Sequence, residues 1–161
     1  SMVGLFVMLR PRNIKIDQWD VSNVTDMSDM FWNCTEFNSD LSKWNVLRVK
    51  SMPSMFSNCE QFNSDLSSWD VSNVTDMSFM FKGCKKFNCD LSNWKLSKDF
   101  YDATFMFADC ESFSKKKKPK DIILNNYDSP IRIGNVVIEE LSNGIRESID
   151  KAIVTKLMSS T

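Results

Sequence analysis

The chain has 161 residues, 20 Lys+Arg against 21 Asp+Glu, no His, and 10 Met, 12 Phe, 5 Trp and 5 Cys beside only 4 Gly and 4 Pro. That length suits about one domain with a real core, and the missing imidazole excludes Ser-His-Asp and Cys-His pairs and histidine-built zinc sites within one chain. A net charge of −1 argues against generic nucleic-acid binding, which needs a basic footprint.

Residues 1–18 open with an apolar run from Val3 to Leu9. It lacks a preceding basic residue and a following small-residue cleavage site, so it reads as a poor signal peptide. No segment approaches the roughly 18 apolar residues of a membrane span, and none is expected. Met2, Leu5, Phe6, Leu9, Asn13 and Ile16 instead anticipate the positions of Met27, Met30, Phe31, Cys34, Asn38 and Leu41. Residues 1–18 are therefore a degenerate half-repeat or cap.

Residues 19–114 are four repeats of 25 residues. Trp19, Trp44, Trp69 and Trp94 keep that step, as do Cys34, Cys59 and Cys84, with Cys110 one residue late. The pairs Met30-Phe31, Met55-Phe56, Met80-Phe81 and Met106-Phe107 hold the register, and so do Phe37, Phe62, Phe87 and Phe113. The stretch at 19–28 returns letter for letter at 69–78. Within a unit, Met27, Met30, Phe31, Cys34 and Phe37 have helical spacing, which predicts a short helix capped by Asp26, Ser51 or Asp76. Pro53 is tolerated in its first turn. From Asn38 to Val49, Leu41, Trp44, Val46 and Val49 alternate with polar residues and predict a short strand and a turn. Such a coil cannot bury its edge alone, so the units are expected to stack, with atypical units at the ends.

The pattern from Trp19-Asp20 through Val24, Met27, Met30-Phe31, Cys34, Phe37-Asn38, Asp40 and Leu41 is similar to the repeat of the BspA-like leucine-rich-repeat surface proteins. These occur in mycoplasma lipoproteins, lactic-acid bacteria, some protozoa and some large viruses. The resemblance covers about residues 13–113 and is lost in residues 115–161. It implies a solenoid; joined to the periodicity above and to the residues after 120, the expected fold is an α/β repeat solenoid of leucine-rich-repeat-like coils, a short strand plus a short helix each, with a small C-terminal α+β appendage. The resemblance also implies adhesion or cell-surface display.

The repeated chemistry reads mainly as structure. Cys34, Cys59, Cys84 and Cys110 match no metal-ligand spacing. Stacked helices about 8–10 Å apart would hold them beyond the Cα separation of about 4.4–6.8 Å that a disulfide needs. They are expected to be buried free thiols, with Cys89 at least partly exposed. The Trp column is expected in the core rather than as a sugar platform. Asp40, Asp65 and Asp90, with Asn38, Asn63 and Asn88, are expected to satisfy turn backbone rather than calcium. No metal and no cofactor is expected. Asn23, Asn33 and Asn73 sit in N-glycosylation triplets, two of which are repeat consensus.

Trp32 and Phe79 stand where other units carry small or polar residues. With Lys82, Lys85 and Lys86 they are the candidate contact surface for a protein partner. Residues 115–120, a lysine run broken by Pro119, read as a solvated linker. Residues 121–161 read as a strand at Asp121 to Leu124, a hairpin at Ile131 to Ile138 with a Gly-Asn turn, and an amphipathic helix. That helix carries Leu141, Ile145, Ile149, Ile153 and Leu157 on one stripe, to cap the array or to bind a partner or a second copy.

The expected function is a non-enzymatic interaction or adhesion module presenting a rigid repeat surface. The alternative is a structural component of an intracellular or virion assembly docked through the C-terminal helix. The resemblance favours the cell surface or secretion; unpaired thiols and the absent signal peptide favour the intracellular or virion setting.

Overall fold

Each repeat is built from turns, not from the predicted helix and strand. The computed structural model describes residues 1–7, 14–125, 131–133 and 136–138. From Asp26 to Cys34 the backbone alternates its hydrogen bonds. The N–H groups of Met30, Trp32 and Cys34 close turns onto the carbonyls of Met27, Asp29 and Phe31 within the repeat. Those of Met27, Asp29, Phe31 and Asn33 instead reach the carbonyls of Ser51, Pro53, Met55 and Ser57 in the next one. The same rungs recur from Met52, Ser54, Phe56 and Asn58, and again from Met77, Phe79, Phe81 and Gly83. Met2, Gly4 and Phe6 make them to Asp26, Ser28 and Met30, so the N-terminal segment stacks in the same register. Parallel bridges link Asp26 to Ser51, Ser51 to Asp76 and Asp76 to Asp102.

The α/β solenoid of strand-plus-helix, leucine-rich-repeat-like coils is therefore overturned. Two positions in each repeat explain why. Gly4, Asp29, Ser54, Phe79 and Phe105 have φ of 61, 55, 53, 57 and 53°. Asn33, Asn58, Gly83 and Asp109 have φ of 60, 61, 72 and 58°. A left-handed residue at every fourth place stops an α-helix, which L-residues build only from right-handed backbone. The apolar spacing of three and four serves a chain of tight turns equally well, so the period alone misled. Gly83 shows how close the turns pack: a Cβ there would lie 2.5 Å from the Asn58 Oδ1 below it. The helix caps are corrected too. Asp26, Asp76 and Asp102 each accept the N–H two residues on, from Ser28, Ser78 and Thr104, at 2.9, 2.9 and 2.8 Å. They close Asx turns, not helices.

The core is a set of columns running through the repeats. Phe6, Phe31, Phe56, Phe81 and Phe107 stack with centroid separations of 5.2, 5.6, 5.7 and 5.8 Å. Phe37, Phe62, Phe87 and Phe113 form a second column, each 4.1 to 4.4 Å from the Phe of its own repeat. Offset stacks of this kind add about 0.5–1.5 kcal/mol per pair beyond burial. Met27, Met52, Met77, Leu41, Leu66, Leu91, Val49 and Val74 fill the remainder and are wholly buried.

After Phe113 the chain stays on this body. Ser114 caps a 3-10 turn at Lys115–Lys117. The Lys117 carbonyl accepts from Leu91 N–H at 2.9 Å, and the Lys118 ammonium sits 5.2 Å over the last ring of the first column, Phe107. Where a strand was expected, α1 (Lys120–Asn125) is a six-residue helix with Ile122 fully buried. By contact the chain divides into Ser1–Ser129 and Pro130–Thr161. In the second unit β1 (Ile131–Ile133) and β2 (Val136–Ile138) pair antiparallel, Ile133 opposite Val136, which is the expected hairpin. The stripe Leu141, Ile145, Ile149, Ile153 and Leu157 lies outside the described residues.

Candidate contact surface

Most of the repeated chemistry is consumed by the repeats themselves. Asp20, Asp40, Asp65, Asp70 and Asp90 each accept from the serine two places on, at 2.9 to 3.0 Å. These bonds hold all five carboxyls below the ordinary carboxylate range. Asn38 accepts from Asn63 N–H at 2.8 Å, and Asn63 from Asn88 N–H at 2.9 Å. Lys117 Nζ closes that ladder by donating to the Asn88 carbonyl and side chain, both at 2.7 Å.

The thiols are free and structural. Cys34, Cys59, Cys84 and Cys110 donate to the carbonyls of Phe6, Phe31, Phe56 and Phe81 at 2.9 to 3.0 Å. Burial pushes the Cys59 and Cys84 thiols well above their ordinary pKa and Cys110 to about 12. The rings of adjacent units stand 5.2 to 5.8 Å apart, closer than the roughly 8–10 Å of packed helices, so the wide spacing expected to keep the thiols unpaired is not present. Cys89 is half-buried and accepts Leu66 N–H at 3.2 Å. Ser39 and Ser64 do the same for Ile14 and Leu41. Trp44, Trp69 and Trp94 are buried and donate to the carbonyls of Ile16, Leu41 and Leu66 at 2.8, 3.0 and 3.0 Å; they are core. Trp19, at the end of the column, is 39% exposed. Among the described residues no three His, Cys, Asp or Glu side chains gather into a metal-binding group.

What the ladders leave over lies on the turn edge of the stack. Two columns run there. One holds Gly4, Asp29, Ser54, Phe79 and Phe105; the other holds Trp32, Ser57, Lys82 and Ala108. Phe79 and Phe105 are partly exposed and stack on each other with centroids 5.6 Å apart. Lys82 Nζ stands 5.6 Å over the Phe79 ring, within cation–π range. Lys85 pairs with Glu60 at 3.1 Å, and Lys86 is exposed, its N–H donating to the Glu60 carbonyl. Thus Phe79 and Lys82 come together, Lys85 and Lys86 follow on the same stretch, and Trp32 lies two repeats down the Lys82 column. Phe105 is the member that the sequence reading missed. Its signal was present: counted across the one inserted residue, it fills the Phe79 position.

Among the described residues no helix is long and apolar enough to cross a membrane. No curated protein and no solved structure matches the chain. A family model described as "Mycoplasma protein of unknown function, DUF285" matches residues 1–119, the stacked repeats together with the lysine run, and the chain belongs to that family.

Proposed function

We propose that the protein is a non-enzymatic interaction module of the BspA-like surface type, whose turn edge meets a protein partner. The observation that carries this reading is the Phe79–Phe105 pair with Lys82 over it. The two rings occupy backbone with φ of 57 and 53°, where the first repeats hold Asp29 and Ser54. Left-handed backbone is unfavourable for a bulky aromatic, and an outlier of this kind is a pointer to function. The thiols recur from repeat to repeat as donors to backbone carbonyls and the aspartates as acceptors from backbone N–H groups, which supports a structural rather than a catalytic use of both.

The test is site-specific photo-crosslinking in the native source. A photoreactive phenylalanine analogue replaces either Phe79 or Lys43, which is exposed in the turn between Leu41 and Trp44. The expected outcome is one protein captured from position 79 and not from position 43. Capture from position 43 alone would move the contact surface elsewhere and defeat this reading.

The five free cysteines favour a second reading, a structural component of an intracellular or virion assembly. Thiol titration of protein from its natural source separates the two: five reduced thiols support the assembly, oxidised or glycosylated protein the surface.

A further inference from the structure

Residues 19–28 and 69–78 are identical, and between them the second repeat, at 44–53, keeps only the buried Trp44, Val46, Val49 and Met52 and replaces every other residue. Each flanking segment carries two aspartates and no basic residue, whereas the middle one carries Arg48 and Lys50 and no acidic residue. Leu47, Arg48 and Lys50 line a shallow groove of about 600 Å³ with Thr25 and Asn73 of the flanking repeats. That volume lies within the range of ligand clefts, about 300–1,000 Å³. We infer that the groove binds a saccharide bearing a carboxylate or a sulfate, the anion on Arg48 and Lys50 and the ring hydroxyls on Thr25 and Asn73. None of these residues belongs to the turn-edge columns, so the groove stands apart from the protein contact proposed there.

Three observations favour that ligand. The first is that the groove's backbone is already engaged. Leu47 N–H donates to Asn45 Oδ1 at 3.1 Å, and its carbonyl accepts from Asn73 Nδ2 at 2.9 Å. Lys50 N–H donates to the Thr25 carbonyl, and its own carbonyl accepts from Thr75 N–H, both at 2.9 Å. A peptide strand finds no edge there to extend, so recognition falls to side-chain tips.

The second is charge. No carboxylate lines the groove. Asp20 and Asp70 stand at the Asn45 position of the flanking repeats, each accepting from a serine N–H at 3.0 Å, and Asp70 is drawn to Lys95. Asp26 and Asp76, at the Ser51 position, hold Ser28 and Ser78. Lys98 and Asp99, in the fourth repeat, offset each other. Arg48 and Lys50 have no ion pair among the described residues. Arg48 Nη1 donates to Asn23 Oδ1 at 2.7 Å, which positions the guanidinium and leaves other N–H groups for a forked bond to carboxylate or sulfate.

The third is the surroundings of that anion seat. Thr25 Oγ1 and Asn73 Oδ1 have no partner among the described residues, and Leu47 is 44% exposed. A hydroxyl, an amide oxygen and a small apolar face suit the hydroxyls and the C–H face of a sugar ring. Two cations are too short a track for a nucleic acid.

The flanking repeats supply the variant. The triple substitution Leu47→Ser, Arg48→Asn, Lys50→Thr installs the residues that both neighbours carry, so it empties the groove of its chemistry and keeps the stack; the thermal midpoint checks this first. Arg48→Gln alone is a second variant. The full chain is titrated by calorimetry with tetragalacturonate, with sulfated and unmodified tetragalactose, and with sodium sulfate. Saturable binding of either charged tetrasaccharide, at least about tenfold tighter than of unmodified tetragalactose and weakened by salt, supports the inference. Loss of that binding in the triple variant, a weaker one in Arg48→Gln and no change in Lys43→Gln support it too. The two charged sugars tell which anion is taken.

Binding of neither charged sugar up to about 10 mM overturns the inference. Equal affinity for unmodified tetragalactose removes the anion seat, and equal affinity for sodium sulfate removes the sugar; either result overturns it. So does unchanged binding by the folded triple variant, or an equal loss in Lys43→Gln, which would mark diffuse attraction for polyanions. A glycan attached to Asn73 in the natural protein would fill the groove and overturn the inference while leaving the turn edge standing.

Discussion

Asp76 stands in the row that begins each ladder, between Ser51 of one repeat and Asp102 of the next. It is buried, and that burial is the main reason its carboxyl is pushed up from 3.8 to about 6. The N–H and hydroxyl of Ser78 work in the opposite sense, Asp102 adds repulsion, and the Tyr101 hydroxyl donates at 3.5 Å. Because the native pKa lies above the unfolded one, the stability tied to this proton is complete below pH 3.8 and is lost as pH rises through about 6. The interval corresponds to about 3 kcal/mol at most. Asp76→Asn keeps an oxygen to accept from Ser78 and removes the charge. It is expected to stabilise the chain at pH 7 by about 1–3 kcal/mol relative to its effect at pH 4. Urea midpoints of both proteins at the two pH values measure this. The surface aspartates cancel in the comparison, since both proteins carry them. An equal effect of the substitution at both pH values would show that the carboxylate is not held at a cost.

The turn motifs carry an internal compensation at Ser51 and Pro53. Three repeats pair an aspartate with an N–H two residues on: Asp26 with Ser28, Asp76 with Ser78, Asp102 with Thr104. The second repeat has lost both partners together, with serine for the acceptor and proline, which has no N–H, for the donor. Ser51→Asp alone should therefore destabilise, placing a carboxylate between Asp26 and Asp76 with no donor to meet it. Adding Pro53→Ser should recover about 1 kcal/mol of that loss, a favourable coupling that a double-mutant cycle by chemical denaturation reads directly. Additive effects would mean that the two positions vary independently. This pair also marks what the sequence could and could not reveal. The buried Phe, Met and Cys columns, the Trp column apart from its exposed end at Trp19, and the hairpin were legible, because each follows from side-chain period or turn chemistry; the capping oxygens of Asp26 and Asp76 were visible, but not that they close Asx turns in place of helices. The absence of a helix was harder to see: Gly, Asp, Ser and Phe share the Asp29 position without a common side-chain signal, whereas the Asn33 position, filled by Asn, Gly and Asp, carries the one hint, since these residues accept left-handed backbone. Within the contact surface, Phe79 and Lys82 were legible as breaks in the repetition. Phe105 was hidden by one inserted residue, and the burial of Ile122 in α1 by a lysine run that resembles a linker.

Stacked units of this kind hold their stability in nearest-neighbour contacts, so the cost of losing a side chain depends on how many neighbours it touches. Phe56 meets Phe31 and Phe81 at 5.6 and 5.7 Å, Phe62 of its own repeat at 4.1 Å, and the Phe37 and Trp69 rings beyond. Phe6, at the start of the column, meets only the Phe31 and Trp19 rings and is partly exposed. Phe56→Ala should therefore cost about 3–5 kcal/mol, opening a cavity that two interfaces share. Phe6→Ala should cost less than half of that, because water already reaches one side of its ring. Ile122 sets a third point. It is wholly buried although it belongs to no repeat, so Ile122→Ala should cost about 2–4 kcal/mol if α1 covers core. Urea denaturation of the three variants, followed by tryptophan fluorescence, gives the order Phe56 at least equal to Ile122, and both above Phe6. A loss at Ile122 as small as that at Phe6 would mean that α1 rests on the stack without sealing it. In that case the repeats would have to hold the last Phe pair, Phe107 and Phe113, through the Lys117 carbonyl and the Lys118 ammonium alone.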